Sequence, residues 1–199
     1  MFIMLGNHFF AMLSRMKYIN RWGLMRNTRN ENISEHSLDT AVLAHALAVL
    51  RNTRFGGSVS PERAACLAIF HDATEILTGD MPTPVKYYNP KIKEAYKEVE
   101  QVAGNRLLDM LPEDLRPLYA SLLVPGTTDE DILPLVKAAD KISAIIKCME
   151  ECRAGNLEFS SARDALLESL YEMRLPEAEC FVREFLPSYG LTLDEQTKF

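Results

Sequence analysis

Apolar residues recur three and four positions apart through most of this chain, and no alternating run of strand type interrupts them. The segment from His8 to Ile19 shows the pattern, with Phe9, Met12, Leu13 and Met16 in register. Such spacing places apolar side chains along one face of an α-helix. Because 199 residues, 47% of them hydrophobic, can bury one sizeable core, the sequence predicts an all-α fold and a single domain over 1–199.

Capping residues and helix breakers divide the chain into predicted helices. Ser34 is the predicted N-cap of a helix that runs to about Arg51. Its core-facing stripe is predicted to be Leu38, Ala41, Val42, His45, Ala46 and Val49. Ser60-Pro61 predicts the start of the next helix and Gly79 its end. Further helices are expected from about 89 to 110, 115 to 123, 128 to 155 with Thr128 as cap, 159 to 173 and 176 to 185.

Charge and cysteine content exclude several classes of protein. The net charge of -6 argues against a partner that is a nucleic acid polymer or a membrane surface, since these need surplus Lys and Arg. The sequence contains no run of 18 apolar residues, so it predicts no membrane span. The four cysteines are few and irregularly placed, which predicts reduced thiols rather than a disulfide framework. We therefore expect a cytoplasmic protein.

The stretch from Ala68 to Pro84 concentrates groups that could perform catalysis. On one continuous α-helix, His71 and Glu75 would lie about 40° apart and Asp72 about 60° beyond Glu75, so the three would share a face. The sequence from Gly79 to Pro84 cannot continue a helix, because prolines disfavour the α conformation in the preceding residue. This predicts a metal site with a base beside it, followed by a fixed, extended turn.

Two more ligand-type residues stand in other predicted helices. His36 lies in the first turn of one, and Asp140 lies amid small and apolar residues of another. Alone, Asp140 is more simply a carboxylate paired with a nearby lysine. Two imidazoles and two carboxylates together suit a divalent ion such as Mn²⁺ or Co²⁺ with open positions for water. His45 would face away from His36, as a packed or supporting residue.

Four strings make the chain resemble a known family. They are INRW (19–22), NISEHSL (32–38), HDATEILTGDMPTPVK (71–86) and VKAAD (136–140). The order His36, His71-Asp72, Asp140 resembles the HD-domain metal-dependent phosphohydrolase superfamily. The longer strings are similar to those of the bacterial HD-domain 5′-deoxynucleotidases, over about residues 8–195. The resemblance implies a single HD-domain helical bundle with a metal site between helices.

The resemblance also implies an activity and a role for each motif residue. The enzyme would remove the phosphate from deoxyribonucleoside 5′-monophosphates, discriminate against ribonucleotides and work as a homodimer. The metal would be Co²⁺ or Mn²⁺, with Cu²⁺ or another divalent ion possible. The implied ligands are His36, His71, Asp72 and Asp140; the implied catalytic residues are Glu75, as general base or acid, and Asp72; the implied substrate-binding residues are Arg21, Trp22, His36, Asp72, Asp80, Met81, Pro82, Thr83 and Asp140.

Physical chemistry supports these roles and leaves alternatives open. Arg21 offers a bidentate fork for a phosphate, and Trp22 could wall the site so that the phosphate has one pose. Asp80 could accept a hydrogen bond from the 3′-hydroxyl of the sugar. The alternatives are an HD phosphohydrolase acting on a nucleoside triphosphate, a cyclic nucleotide or a signalling nucleotide; a nucleotide-binding or metal-stabilised regulatory module; and a dimer-forming helical scaffold.

Overall fold

The computed structural model describes residues 7–82, 85, 89–124, 126 and 129–197. These residues form helices and no β-strand beyond an isolated antiparallel bridge between Asn20 and Asn32. The helices, numbered in chain order, are α1 (Phe9–Leu13), α2 (Ile33–Arg54), α3 (Pro61–Phe70), α4 (Glu75–Thr78), α5 (Pro90–Leu108), α6 (Arg116–Leu123), α7 (Leu133–Arg153), α8 (Ser160–Tyr171), α9 (Pro176–Glu184) and α10 (Leu193–Gln196). Short 3₁₀ turns span Ser14–Tyr18, Leu157–Phe159 and Leu186–Gly190. The predicted all-α fold is confirmed.

The main core lies between α2, α3 and α7. Leu47, Leu67, Leu135, Ile142 and Ile145 are all fully or almost fully buried there. Burying each of these side chains contributes about 1.5–3 kcal/mol. Helices α8 and α9 cover the same core through further apolar residues. The three central helices therefore form the rigid frame on which the site described below is built.

A second, smaller core fixes the segment that follows α3. It contains Phe9 from α1, Ala73 from residues 71–74, Leu107 from α5 and Leu111 just beyond α5. Ala73 is fully buried in this cluster. The backbone between α3 and α4 is thus anchored on the side away from the main core.

The N-cap residue agrees with the sequence prediction for α3 and α5 and differs for α2. Ser60 caps α3 by accepting a hydrogen bond from the Arg63 N–H, and Asn89 caps α5. The N-cap of α2 is Asn32 and not Ser34, because the Asn32 side chain accepts hydrogen bonds from the N–H groups of Ser34 and Glu35. Helix α7 begins at Leu133, and the predicted cap Thr128 lies outside the described residues. The predicted helix over 8–19 is a five-residue α1 followed by a 3₁₀ turn.

The predicted apolar stripe of α2 is wrong at four of its six positions. Ala41 is buried and Ala46 packs partly buried against the core, but the other four residues are exposed. Leu38 and Val42 are each 63% exposed and Val49 is 40% exposed, and His45 is exposed beside them. The opposite face is the buried one, and it carries mainly small or polar residues: His36, Ser37, Thr40, Ala41, Ala44 and Ala48, with Leu43 and Leu47. Small side chains let α3 and α7 approach closely, which favours this face for the core. His45 is therefore neither packed nor a supporting residue.

The predicted continuous helix from Pro61 to Thr78 is divided. After Phe70, the Ala73 N–H bonds to the carbonyl of Phe70 and the Glu75 N–H to that of Asp72, so the hydrogen bonds span three residues instead of four. The chain is more tightly wound through residues 71–74, and α4 then begins at Glu75. Helix α4 ends before Gly79, whose φ of 73° suits a residue without a side chain.

None of the described helices is both long enough and apolar enough to cross a membrane.

Candidate metal centre and phosphate site

Four side chains of ligand type come together where α2, α3 and α7 meet. His36 projects from the first turn of α2, His71 and Asp72 follow the last residue of α3, and Asp140 lies in α7. His36 Nε2 is 3.0 Å from Asp140 Oδ1 and 3.6 Å from Asp72 Oδ2. His71 Nε2 is 3.2 Å from Asp72 Oδ2 and 4.0 Å from Asp140 Oδ1. Residues that are 104 positions apart in sequence thus share one centre.

Each histidine is held by its other ring nitrogen. His71 Nδ1 lies 2.7 Å from the carbonyl oxygen of Ala68, which can only accept, so Nδ1 donates and Nε2 carries the lone pair in the neutral ring. His36 Nδ1 lies 3.0 Å from Ser143 Oγ. Both Nε2 atoms therefore point at the carboxylates. Metal-binding histidines are commonly oriented in this way by a second hydrogen bond.

A divalent cation fits this arrangement. Ligand atoms of His36, His71 and Asp72 all lie within 4.8 Å of one another. His71 Nε2 is buried and, among the described residues, has no partner in hydrogen-bond geometry, although Asp72 is near. A buried nitrogen aimed between carboxylates is a donor set for a cation rather than a completed hydrogen-bond network.

The charges of the cluster reinforce one another. Burial lowers the pKa of His71, but attraction to Asp72 and Asp140 outweighs this and raises it to about 9. Burial raises the pKa of Asp72, but His71, His36 and Arg21 together hold it well below its usual range. The Asp72 carboxylate is therefore ionised at neutral pH and available to a cation.

Asp140 is less buried than its apolar neighbours in sequence suggested. Its side chain is 42% exposed, whereas Ala138, Ala139 and Ile142 on the same helix are fully buried. The exposure is explained by a cavity of about 210 Å³. Its lining residues are Leu67, His71, Leu122, Leu123, Leu133, Val136, Lys137 and Asp140. We call His36, His71, Asp72 and Asp140 the metal-type cluster. It opens into a largely apolar space with room for a ligand.

Glu75 stands next to this cluster in the chain. It is the first residue of α4 and only 6% exposed. Its backbone N–H bonds to the carbonyl of Asp72, which ties the start of α4 to the residue that belongs to the cluster. Glu75 is thus a buried carboxyl that follows His71 and Asp72 closely in the chain, which makes it a candidate for proton transfer.

A loop before α2 brings the predicted phosphate-binding residues to the same centre. Arg21 Nη2 is 3.9 Å from Asp140 Oδ1, so the guanidinium reaches the cluster. The Trp22 N–H donates to Asp80 Oδ2 at 3.2 Å. This hydrogen bond joins the loop to the segment after α4, where Met81 and Pro82 are half-buried. Thr83 lies outside the described residues.

The sequence analysis did not single out two residues of this site. Ser143 lies one turn after Asp140 and holds His36, and Glu31 accepts hydrogen bonds from both Arg21 and Trp22. Neither belongs to a recognisable motif of ligands or bases. A search for polar residues one turn from Asp140 in its apolar run would have found Ser143, since such a hydroxyl is buried at a cost unless it has a partner.

The fold is shared with solved HD-domain structures. An HD-domain phosphohydrolase from Listeria innocua superposes with a TM-score of 0.80 and 24% identity, covering 96% of this chain and 92% of that chain. The cyanophage S-2L HD phosphohydrolase, described as bound to dA and one catalytic Zn²⁺ ion, gives a TM-score of 0.65 at 20% identity and covers 92% of this chain and 96% of that chain. The chain therefore has the same fold as these solved HD-domain proteins.

Sequence comparison narrows the class to one family. The family model described as 5′-deoxynucleotidase YfbR-like matches residues 8–189. The 5′-deoxynucleotidase of Vibrio cholerae is 53% identical over 189 residues, covering 95% of this chain and 97% of the relative. The 5′-deoxynucleotidase YfbR of Escherichia coli is 51% identical over 189 residues, covering 95% of both. The chain belongs to the YfbR-like 5′-deoxynucleotidase family and is a phosphoric monoester hydrolase that acts on nucleotides.

Proposed function

We propose that this enzyme hydrolyses deoxyribonucleoside 5′-monophosphates to the deoxynucleoside and phosphate, requires a divalent transition metal and discriminates against ribonucleotides. The observation that carries the proposal is the convergence of two oriented imidazoles and two carboxylates beside the Arg21 guanidinium. A phosphate dianion needs such a pairing of cations to be bound and activated.

The ligand set would be His36, His71, Asp72 and Asp140. Two nitrogens and two carboxylate oxygens suit Mn²⁺ or Co²⁺, with Cu²⁺ or another divalent ion as an alternative. Bound there, the ion would polarise a phosphoryl oxygen and lower the pKa of a coordinated water. Asp72 would act both as a metal ligand and as a catalytic residue. Its carboxylate lies 3.2 Å from His71 Nε2, and its backbone carbonyl accepts a hydrogen bond from the Glu75 N–H.

Arg21 and Trp22 would bind and orient the phosphate. The Arg21 guanidinium remains a cation, because the carboxylates around it raise its pKa and outweigh the opposing effect of burial. Its planar fork matches two phosphate oxygens. The Trp22 ring packs on Phe159, with ring centroids 5.2 Å apart, and so forms a rigid wall. Restricting the phosphate to one pose supplies part of the rate enhancement.

Glu75 would act as the general base or acid. Its carboxyl is buried, and it follows the proposed ligands His71 and Asp72 by one turn. It would take a proton from the attacking water, whose oxygen bonds to phosphorus, and return that proton to the 5′-oxygen of the sugar as the phosphorus–oxygen bond to the sugar breaks. A buried base of this kind typically contributes 10²–10⁴-fold to the rate, an order-of-magnitude figure.

The segment from Asp80 to Thr83 would bind the sugar and distinguish deoxyribose from ribose. Asp80 would accept a hydrogen bond from the 3′-hydroxyl, while the backbone of Met81 and Pro82 would occupy the space near the 2′ position. A ribose would then bury its 2′-hydroxyl without a partner, which costs binding energy in the transition state. This assignment accounts for discrimination against ribonucleotides.

The enzyme would act as a homodimer. The exposed stripe of Leu38, Val42 and Val49 lies on the face of α2 opposite the core, and a helix that is apolar on both faces is ordinarily buried on both. A second copy of the chain would cover this stripe.

The cysteine pattern still predicts a reducing cytoplasm as the compartment. All four thiols are free in the structure.

One experiment tests the proposal directly. Phosphate release is measured from a panel of deoxy- and ribonucleoside 5′-monophosphates with Co²⁺, Mn²⁺, Mg²⁺ or chelator. We expect release from the deoxynucleotides, loss with chelator, recovery with Co²⁺ or Mn²⁺, and slower reaction of the ribonucleotides. Equal rates for ribose and deoxyribose would contradict the sugar assignment. Release of pyrophosphate or triphosphate from a nucleoside triphosphate as the faster reaction would favour a different HD phosphohydrolase.

A further inference from the structure

Glu31 lies beside the proposed phosphate-binding residues and contacts both. Its Oε2 atom accepts a hydrogen bond from Arg21 Nη1 at 2.6 Å and another from Trp22 Nε1 at 3.0 Å. The side chains of Arg21 and Glu31 are each only 12% exposed, so solvent screens this ion pair weakly. One carboxylate oxygen thus fixes two neighbouring side chains at once.

The backbone around Glu31 supports the same arrangement. The Arg21 N–H donates to the carbonyl oxygen of Glu31 at 2.9 Å, and the Ile33 N–H donates to that of Ile19 at 3.0 Å. These bonds flank the antiparallel bridge between Asn20 and Asn32. Main chain and side chain therefore hold the two short segments together immediately before α2, which carries His36.

The ion pair leaves one end of the guanidinium directed at the metal-type cluster. Glu31 binds Nη1, while Nη2 is the atom that lies 3.9 Å from Asp140. A free arginine side chain samples many rotamers, and losing them on binding a phosphate would weaken the interaction. With Nη1 fixed, the free edge of Arg21 is already directed toward the site of the phosphate.

Trp22 needs support because its backbone conformation is unusual. Its φ of 61° is in the left-handed region, which is strained for a bulky residue. Two carboxylates hold it there: Asp80 accepts from its backbone N–H and Glu31 from its indole nitrogen. Phe159 packs against the ring. Strain that persists because several contacts determine it is typical of binding sites.

We propose that Glu31 is a positioning residue, which presents Arg21 and Trp22 to the phosphate of the substrate. The inference rests on the proposed function, since it needs Arg21 to contact that phosphate. It makes a prediction opposite to simple electrostatics. Neutralising Glu31 leaves the region more positive, which by charge alone would tighten phosphate binding. If Glu31 acts by positioning, neutralising it weakens binding and turnover instead.

The test compares Glu31→Gln with a matched control, Glu35→Gln. Glu35 is four residues away, and its side chain is 46% exposed and 3.6 Å from Arg29. We expect Glu31→Gln to lower kcat/KM about 10- to 100-fold, the range for losing a charge-assisted hydrogen bond. Glu35→Gln should keep the wild-type value. A Glu31→Gln enzyme with wild-type or higher kcat/KM would overturn the proposal.

A double-mutant cycle separates positioning from general stabilisation of the loop. If Glu31 acts through Arg21 as well as through Trp22, Glu31→Gln should cause a smaller loss of kcat/KM in an Arg21→Ala background than in the wild type. Losses that simply add would show that Glu31 acts independently, and would refute the assignment. Melting temperatures of all four proteins identify any loss that is due to unfolding.

Phosphate binding gives a readout that does not need turnover. Trp22 is the single tryptophan of the chain, so its fluorescence reports this loop alone. Titration of the metal-loaded protein with inorganic phosphate should give a Kd about tenfold or more weaker in Glu31→Gln than in Glu35→Gln. If the wild type releases no phosphate from deoxynucleotides, the proposed function fails, and this titration still decides the role of Glu31. Equal Kd values would overturn the positioning role.

Discussion

Ser143 holds the buried ring of His36, and its removal should weaken metal binding more than it weakens the fold. Ser143→Ala deletes a hydroxyl that lies 3.0 Å from His36 Nδ1, in a position where both residues are almost fully buried. When Nε2 holds a metal, Nδ1 carries the ring proton and Ser143 Oγ is its acceptor; without Ser143 the ring can place that proton on Nε2 instead and donate to Asp140, 3.0 Å away. In that tautomer Nε2 has no lone pair for a metal.

The magnitude follows from two known costs. Removing the hydrogen-bond partner of a metal-binding histidine typically lowers metal affinity about 10- to 100-fold, which is about 1.4–2.7 kcal/mol. Leaving Nδ1 buried without a partner costs about 1–3 kcal/mol of unfolding free energy in the protein without metal. Because the ring can switch tautomer and bond to Asp140 instead, we expect the effect on unfolding to lie at the low end of that range.

The assay is competition of the purified protein with a chelator of known affinity, for Co²⁺ and Mn²⁺, together with denaturant unfolding of the protein without metal. Ser37→Ala is the matched control. It removes a buried hydroxyl from the residue next to His36, and within the described part of the chain that hydroxyl has no hydrogen-bond partner. Ser37→Ala should keep wild-type metal affinity. Unchanged affinity in Ser143→Ala would refute the role of Ser143 or of His36 as a ligand.

Four further variants test the catalytic and sugar assignments and a buried ion pair. Glu75→Gln should retain metal and lose about 10²–10⁴-fold in turnover, whereas Asp72→Asn should lose both; the measurements are metal content and phosphate release. Asp80→Ala should reduce the ratio of kcat/KM for deoxy- over ribonucleotides by about tenfold or more, because it also removes the acceptor of the Trp22 N–H that anchors the segment proposed to exclude the 2′-hydroxyl. Glu151→Gln should lower the free energy of unfolding by about 3 kcal/mol near neutral pH, because it leaves the Lys147 cation buried without its partner.

The Glu151 prediction has a definite pH dependence. Burial raises the pKa of Glu151, but its hydrogen bonds with Lys147, Thr28 and Asn156 outweigh this and hold it well below its usual range. The wild-type advantage is therefore full above the unfolded pKa of about 4.3 and is lost as the pH falls through the lower folded pKa. Exposed Glu150→Gln is the control. An advantage that grows toward acid pH would contradict the assignment.

Near-normal turnover of Glu75→Gln would exclude Glu75 as the base. Unchanged sugar preference in Asp80→Ala would show that discrimination arises elsewhere. In both variants, metal content equal to that of the wild type is the control that the site is still formed.

Much of the helical architecture could be predicted from local sequence, because capping and helix termination are local interactions. Ser60 and Asn89 cap their helices as such residues do in peptides, and Gly79 ends α4. The division after Phe70 carries no such signal. No proline or glycine lies between Phe70 and Glu75, and the tighter winding accompanies the burial of Ala73 against α1 and α5, which is a tertiary effect.

The core face of α2 could not be chosen from periodicity alone. Both faces of this helix carry large apolar residues: Leu38, Val42 and Val49 are exposed, whereas Leu43 and Leu47 are buried. Hydrophobicity scales rank such residues above Ala44 and Ala48, which are fully buried. Close approach of α3 and α7 requires small side chains, and that requirement is a property of the neighbouring helices rather than of α2.

The candidate site divides in the same physical way. Only a few residue types supply imidazole or carboxylate ligands to a cation. The candidate ligands His36, His71, Asp72 and Asp140 could therefore be singled out from residue type and order in the sequence. The groups that orient them are chosen only by proximity in the fold, and many polar atoms can serve. A backbone carbonyl at Ala68 holds His71, and a hydroxyl at Ser143 holds His36. Because such partners need only one lone pair in the right place, their identity becomes known when the structure gives the distance.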